Sequence, residues 1–102
     1  MEKFYITTAI DYVNAAPHLG HALEKVQADV IARYQRLLGK DVFFLTGTDE
    51  HGAKVAKAAE TQGKNVEEFV NEISETFKNL ARELNISNDD FIGKSDKIRH
   101  WP

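Results

Sequence analysis

Apolar residues recur at Leu19, Leu23, Val26, Val30, Tyr34 and Leu37, in steps of three and four. That spacing puts them on one face of a helix, predicted over 17–38 and closed by Gly39 as a left-handed cap. Arg33 and Arg36 near its end suit the negative pole of the helix dipole. A second stripe, Val66, Phe69, Val70, Ile73, Phe77, Leu80 and Leu84, predicts a helix over 66–84. Asn65 with Glu68 three residues on reads as its capping box. Between the two lies a short Ala-rich helix over 53–62, stopped by Gly63. Two runs break the helical period. Lys3-Phe4-Tyr5-Ile6-Thr7-Thr8 and Val42-Phe43-Phe44-Leu45 are β-branched, aromatic and apolar, and read as strands over 3–8 and 41–46. After a turn over 85–90, Phe91-Ile92 begins another.

Strand, helix and strand at this spacing form a βαβ unit over 3–46, parallel and right-handed. The helices over 53–84 extend it. The loops 9–16 and 47–52 follow the two strands at their carboxyl ends, so they border one crevice, where open parallel sheets bind ligands. A strand as apolar as Val42 to Leu45 needs neighbours on both sides, and two or three short strands make a poor sheet. The expected fold class is therefore α/β, the amino-terminal half of a larger doubly wound parallel sheet, cut at His100-Trp101-Pro102.

The candidate chemistry sits in Tyr12-Val13-Asn14-Ala15-Ala16-Pro17-His18-Leu19-Gly20-His21. Pro17 suits the first turn of a helix, where a missing N–H costs nothing. Free N–H groups and the positive dipole end would then face the crevice, a place for phosphate. His18 and His21, three apart, share one side of that turn, and Gly20 leaves room for a flat group to touch backbone. The competing reading is two polar residues exposed on a first turn. A zinc site of His18, His21 and His51 is the weaker alternative, and the absence of cysteine removes the thiolates of a structural zinc knuckle.

Composition narrows the partners. The 102 residues suffice for one small domain. Thirteen basic against sixteen acidic residues leave a net charge of −3, with no electrostatic footprint for nucleic acid. No apolar run has the length of a membrane span. Met1-Glu2-Lys3-Phe4 enters a strand with no signal-peptide pattern, and a cytoplasmic location is expected. Gly93-Lys94-Ser95 is not a P-loop, because Asn88 stands where the first glycine is required.

His18-Leu19-Gly20-His21 after a strand and before a helix resembles the HIGH signature of class I aminoacyl-tRNA synthetases. Phe4-Tyr5-Ile6-Thr7-Thr8, Tyr12-Val13-Asn14 and Val42-Phe43-Phe44-Leu45-Thr46-Gly47-Thr48-Asp49-Glu50-His51-Gly52 resemble the methionyl members. The resemblance implies a Rossmann-like, HUP-type nucleotide-binding domain, of which 1–102 would be part. It implies ATP-dependent activation of methionine and ligation to tRNA, with Mg2+ carried in on ATP and tRNA held mostly by parts outside this segment. His18 and His21 would be catalytic. They would bind ATP with Gly20 and Asn14, while Ala9, Ile10, Tyr12 and Asp49 would bind methionine. Glu50 competes with Asp49 for the ammonium group. The family's second, lysine-rich signature is not Lys94-Ser95-Asp96-Lys97, so 1–102 alone is expected to be inactive. Two residues depart from the pattern. Asp11 stands where an aromatic residue or proline is common, and Ala9 where proline is frequent; Asp11 brings a charge close to the pocket. The rival readings are a small nucleotidyltransferase with the same motif and a non-catalytic fragment of the fold.

Overall fold

The computed structural model describes residues 1–13, 15–49 and 53–93, except for the side chain of Tyr12. Seven elements follow in order: β1 Lys3–Thr7, β2 Asp11–Tyr12, α1 Leu19–Leu37, β3 Asp41–Asp49, α2 Ala53–Thr61, α3 Val66–Glu83 and β4 Asp90–Gly93. Strand β3 is the spine, and every pairing to it is parallel. Leu45 is in register with both Thr7 and Asp90, and Thr48 with both Asp11 and Gly93. Strands β1 and β2 thus share one side of β3, and β4 takes the other. The βαβ unit and the parallel sheet stand as expected, but the central strand does have neighbours on both sides.

Several boundaries shift. Strand β3 continues three residues beyond Thr46, so Gly47, Thr48 and Asp49 lie in the ladder rather than in a loop. The reason is β2, a short strand inside the stretch expected to be all loop, together with β4; between them they give the end of β3 its partners. Gly47 makes the β4 pairing possible, since a Cβ there would stand 2.0 Å from the Ile92 carbonyl oxygen.

Helix α1 turns differently from expectation. Leu19, Leu23, Val30, Tyr34 and Leu37 are more than half exposed, and the face against the sheet carries Lys25, Ala28, Asp29 and Ala32. Ala28 and Ala32 meet Phe44, flanked by Ile6, Val42 and Ile86. Small residues let the helix backbone come close to the strands; the periodic signal followed the larger side chains on another face. In α3 the expected stripe does go inward: Phe69, Val70, Ile73 and Phe77 join Val13, Val55 and Ala59 in a second cluster, although Val66 and Leu84 remain exposed. Asn65 caps α3 by accepting from Glu68 N at 2.7 Å. Gly39 and Gly63 have φ of 83° and 68° at the two helix ends, the left-handed geometry that glycine adopts without strain.

A polar clasp ties the far half of α1 to the segment entering β4. Asp29 Oδ1 accepts from the backbone N–H and the hydroxyl of Ser87, and its Oδ2 accepts from Arg33 Nε at 2.8 Å. Arg36 donates to the Ser87 hydroxyl and carbonyl at 2.6 and 2.9 Å. Asp89 Oδ2 accepts from Phe44 N at 2.8 Å. No helix among the described residues is long and apolar enough to cross a membrane.

Candidate active site

The turn at the start of α1 is built by its two histidines. His18 is the N-cap, in extended backbone, so the helix begins at Leu19 and Pro17 precedes the cap rather than occupying the first turn. The His18 Nδ1 accepts from Gly20 N at 3.0 Å, and the His21 Nδ1 accepts from His18 N at 3.0 Å. Together they make a capping box in which imidazoles replace the usual hydroxyl and carboxylate. The rings stack with centroids 3.9 Å apart and planes 28° from parallel.

Two expectations change as a result. The first-turn N–H groups do not form an open phosphate cradle: Gly20 N is taken by His18, and His21 N and Ala22 N bond to the His18 carbonyl. The Nε2–H of each ring stays available to donate, because a Nδ1 that accepts leaves the proton on the other nitrogen. Gly20 also has a different reason for being small. A Cβ on it would lie 2.9 Å from His18 Cε1, so the space it leaves is filled by the capping imidazole.

A cleft of about 470 Å³ opens beside this turn, lined by Ala9, Ile10, Asp11, Ala15, Ala16, His18 and His21. The structure thus brings together four of the candidate site residues, Ala9, Ile10, His18 and His21, along with Asp11, the departure from the pattern. Gly20 adjoins the cleft through His18. Asp49 ends β3 in register with Tyr12 of β2, at the carboxyl edge of the sheet, and is half-buried. It is not among the described lining residues. Asn14, Glu50, His51 and Gly52 lie outside the described residues, as does the Tyr12 side chain.

The departure at Asp11 acquires a partner. Asp11 is buried, and its Oδ2 accepts from Lys25 Nζ at 2.6 Å. Lys25 is fully buried, one turn beyond His21 on α1. The other Asp11 oxygen stands 3.8 Å from His21 Nε2. Lys25 was missed in the sequence because a lysine between Glu24 and Val26 reads as a solvated position. Its only signal was the i, i+4 spacing from His21.

The chemistry available is donation from two preset imidazoles at the carboxyl end of parallel strands. Comparison with known proteins identifies the family. The family described as tRNA synthetases class I (M) matches residues 4–101. The methionine–tRNA ligase of Thermotoga maritima is 57% identical over 96 residues, covering 94% of this chain and 15% of the relative. That of Rhizobium meliloti is 53% identical, covering 95% of this chain and 19% of the relative. The crystal structure of Mycobacterium tuberculosis methionyl-tRNA synthetase bound by methionyl-adenylate superposes with a TM-score of 0.92 at 50% identity, over 93% of this chain and 19% of that one. The chain spans less than a fifth of the length of these relatives. With the parallel sheet, the capped histidine turn and a family match over nearly its whole length, the chain belongs to the class I tRNA synthetases of the methionyl type.

Proposed function

We propose that this chain supplies the first half of the crevice in which methionine is activated with ATP before transfer to tRNA. The observation that carries the reading is the paired His18–His21 cap beside the cleft, in a fold whose solved relative holds methionyl-adenylate. Residues 1–102 act as one partial catalytic unit, the βαβ unit with its helical extension.

In the first step a methionine carboxylate oxygen attacks the α-phosphorus of ATP. A P–O bond forms to the amino acid, the bond to the β-phosphate oxygen breaks, and pyrophosphate leaves. No protein nucleophile is needed. Negative charge accumulates on the non-bridging oxygens of the α-phosphate, and the Nε2–H groups of His18 and His21 are placed to donate there. Donors fixed in advance stabilise that charge more in the transition state than in the ground state. Their Nδ1 atoms are held by backbone N–H groups, which fixes the tautomer and the ring orientation. Mg2+ enters with the triphosphate, as hard cations do, through phosphate oxygens. Asn14 contributes on the nucleotide side. The backbone of Ala9 and Ile10, the Tyr12 ring and the Asp49 carboxylate receive methionine, Asp49 through a charge-assisted bond to its ammonium. In the second step the methionyl group passes to a ribose hydroxyl of the 3′ adenosine of tRNA, and AMP departs.

The test is methionine-dependent exchange of pyrophosphate into ATP by the protein that carries this chain. His18→Ala and His21→Ala should each slow exchange by about 100- to 1,000-fold, the loss of one preset donor, with methionine affinity little changed. A rate within about twofold of wild type for either variant removes that residue from the mechanism.

A further inference from the structure

The Asp11–Lys25 pair lies behind His21, and the family pattern does not account for it. Lys25 is fully buried and Asp11 nearly so. A buried ion pair gains little stability over apolar residues of the same size, so stability alone is a poor reason for one here. Its geometry offers a better one. Asp11 is fixed in the ladder, in register with Thr48 of β3. His21 and Lys25 are one turn apart on α1, and the single carboxylate reaches both, at 3.8 Å from Nε2 and 2.6 Å from Nζ. Phe77 of α3 closes the group: the His21 ring meets it edge-on at 5.2 Å and 74°, and Lys25 Nζ stands 5.6 Å from its centre. The His21 imidazole is therefore held by the His18 ring, the His18 N–H and Phe77, with the Asp11 carboxylate in its surroundings at 3.8 Å from Nε2, too far for a hydrogen bond.

We propose, on the reading of His21 as a phosphate donor, that Asp11 and Lys25 are a positioning pair that sets the His21 ring against the cleft. Each member has a separate task. Asp11 joins strand β2 to helix α1 and faces the Nε2 side of the ring. Lys25 neutralises Asp11, which lines the cleft and would otherwise repel the anionic ligand there. Neither touches the reacting atoms; both act through His21.

The experiment uses the protein that carries this chain, with histidine labelled and the His21 ring signal assigned from His21→Ala. In the wild type that signal should be displaced by the two flanking rings. A single change would strand a buried charge, so the informative variant is Asp11→Ala combined with Lys25→Met. It should melt cooperatively, move the His21 signal toward that of an unstructured histidine, and lower the exchange kcat by about 10- to 100-fold, as misplacement of a reacting group does. Methionine KM should stay within about twofold, and adding the two changes to His21→Ala should cost nothing more. If the double variant unfolds, Asp11→Asn with Lys25→Met keeps the side-chain volume and is read the same way. An unmoved His21 signal, or losses that multiply with that of His21→Ala, overturns the proposal. If the wild type shows no methionine-dependent exchange, the reading of the function fails, and the His21 signal alone decides whether the pair positions the ring.

Discussion

Replacing Asp29 by Asn should loosen the attachment of α1 to the segment that enters β4, and should do so in a pH-dependent way. The carboxylate accepts three hydrogen bonds: two from Ser87, through its N–H and hydroxyl, and one from Arg33. Burial by itself pushes the Asp29 carboxyl up. The Ser87 hydroxyl, Arg33 and the Ser87 N–H outweigh it, with help from the Arg33 charge, and leave it below its ordinary value. An amide keeps the shape but turns one acceptor into a donor, aimed at either Ser87 N or Arg33. If it meets Ser87 N, an unsatisfied buried donor costs about 1–3 kcal/mol. The Arg33 side chain is half exposed, so its pairing contributes at most about 1 kcal/mol. The sum, about 1–4 kcal/mol at neutral pH, is a sizeable share of the ~5–15 kcal/mol that keeps a domain folded. The sign with pH follows from the direction of the shift. A carboxyl lowered in the folded state stabilises above its unfolded value, and that stability disappears as pH falls through the folded value. Urea unfolding of wild type and Asp29→Asn, followed by circular dichroism, should show a wide gap at neutral pH that narrows in acid. A gap under about 0.5 kcal/mol, the scatter of ordinary surface changes, or one that does not shrink in acid, would refute the assignment.

Two further outcomes test other parts of the structure. Gly47→Ala should lower the melting temperature sharply, because its Cβ would meet the Ile92 carbonyl oxygen at 2.0 Å and a backbone atom cannot turn aside; overpacking of this kind costs about 1–3 kcal/mol, and an unchanged melt would mean β4 is not held there. Asp49→Ala should weaken equilibrium methionine binding strongly and Glu50→Ala less, the reverse order meaning that the two carboxylates have exchanged roles.

Much of the fold was legible because alternation and periodicity report which residues are large and apolar. The same signal is silent where the buried residues are small. In α3 the large residues are the buried ones, so the stripe and the core coincide. In α1 they are not. Contact with the sheet is made by Ala28 and Ala32, and alanines give no clear stripe. The far end of β3 is hidden in the sequence for a related reason. Gly47 and Thr48 look like the start of a polar loop, yet both are buried in the ladder, as Thr46 before them is. Thr46 shares a hydroxyl contact with Thr8 at 2.7 Å, and Thr48 one with Ser74 at 3.4 Å. A polar residue whose partner lies far off in sequence looks like a surface residue until the chain is folded.

The site shows the same division at finer grain. The motif located the histidines, and the helix start located the cleft, but neither indicated how the rings are held. A histidine as N-cap is outside the usual set of serine, threonine, aspartate and asparagine, so the sequence alone points to Pro17 in the first turn, with the N–H groups there free for phosphate. Once His18 and His21 cap the turn, the N–H groups of His18, Gly20, His21 and Ala22 are spent inside the protein. On the proposed function, the anion-binding task then moves outward, from backbone to imidazole Nε2. That shift raises the demand on ring placement, since a side chain has torsions that a backbone N–H lacks. The residues around His21 answer the demand: a stacked ring, an aromatic edge and a neutralised carboxylate, drawn from α1, α3 and β2. Asp11 looked like a defect in the motif because the motif runs along the chain, and Lys25, the group that compensates it, lies fourteen residues away.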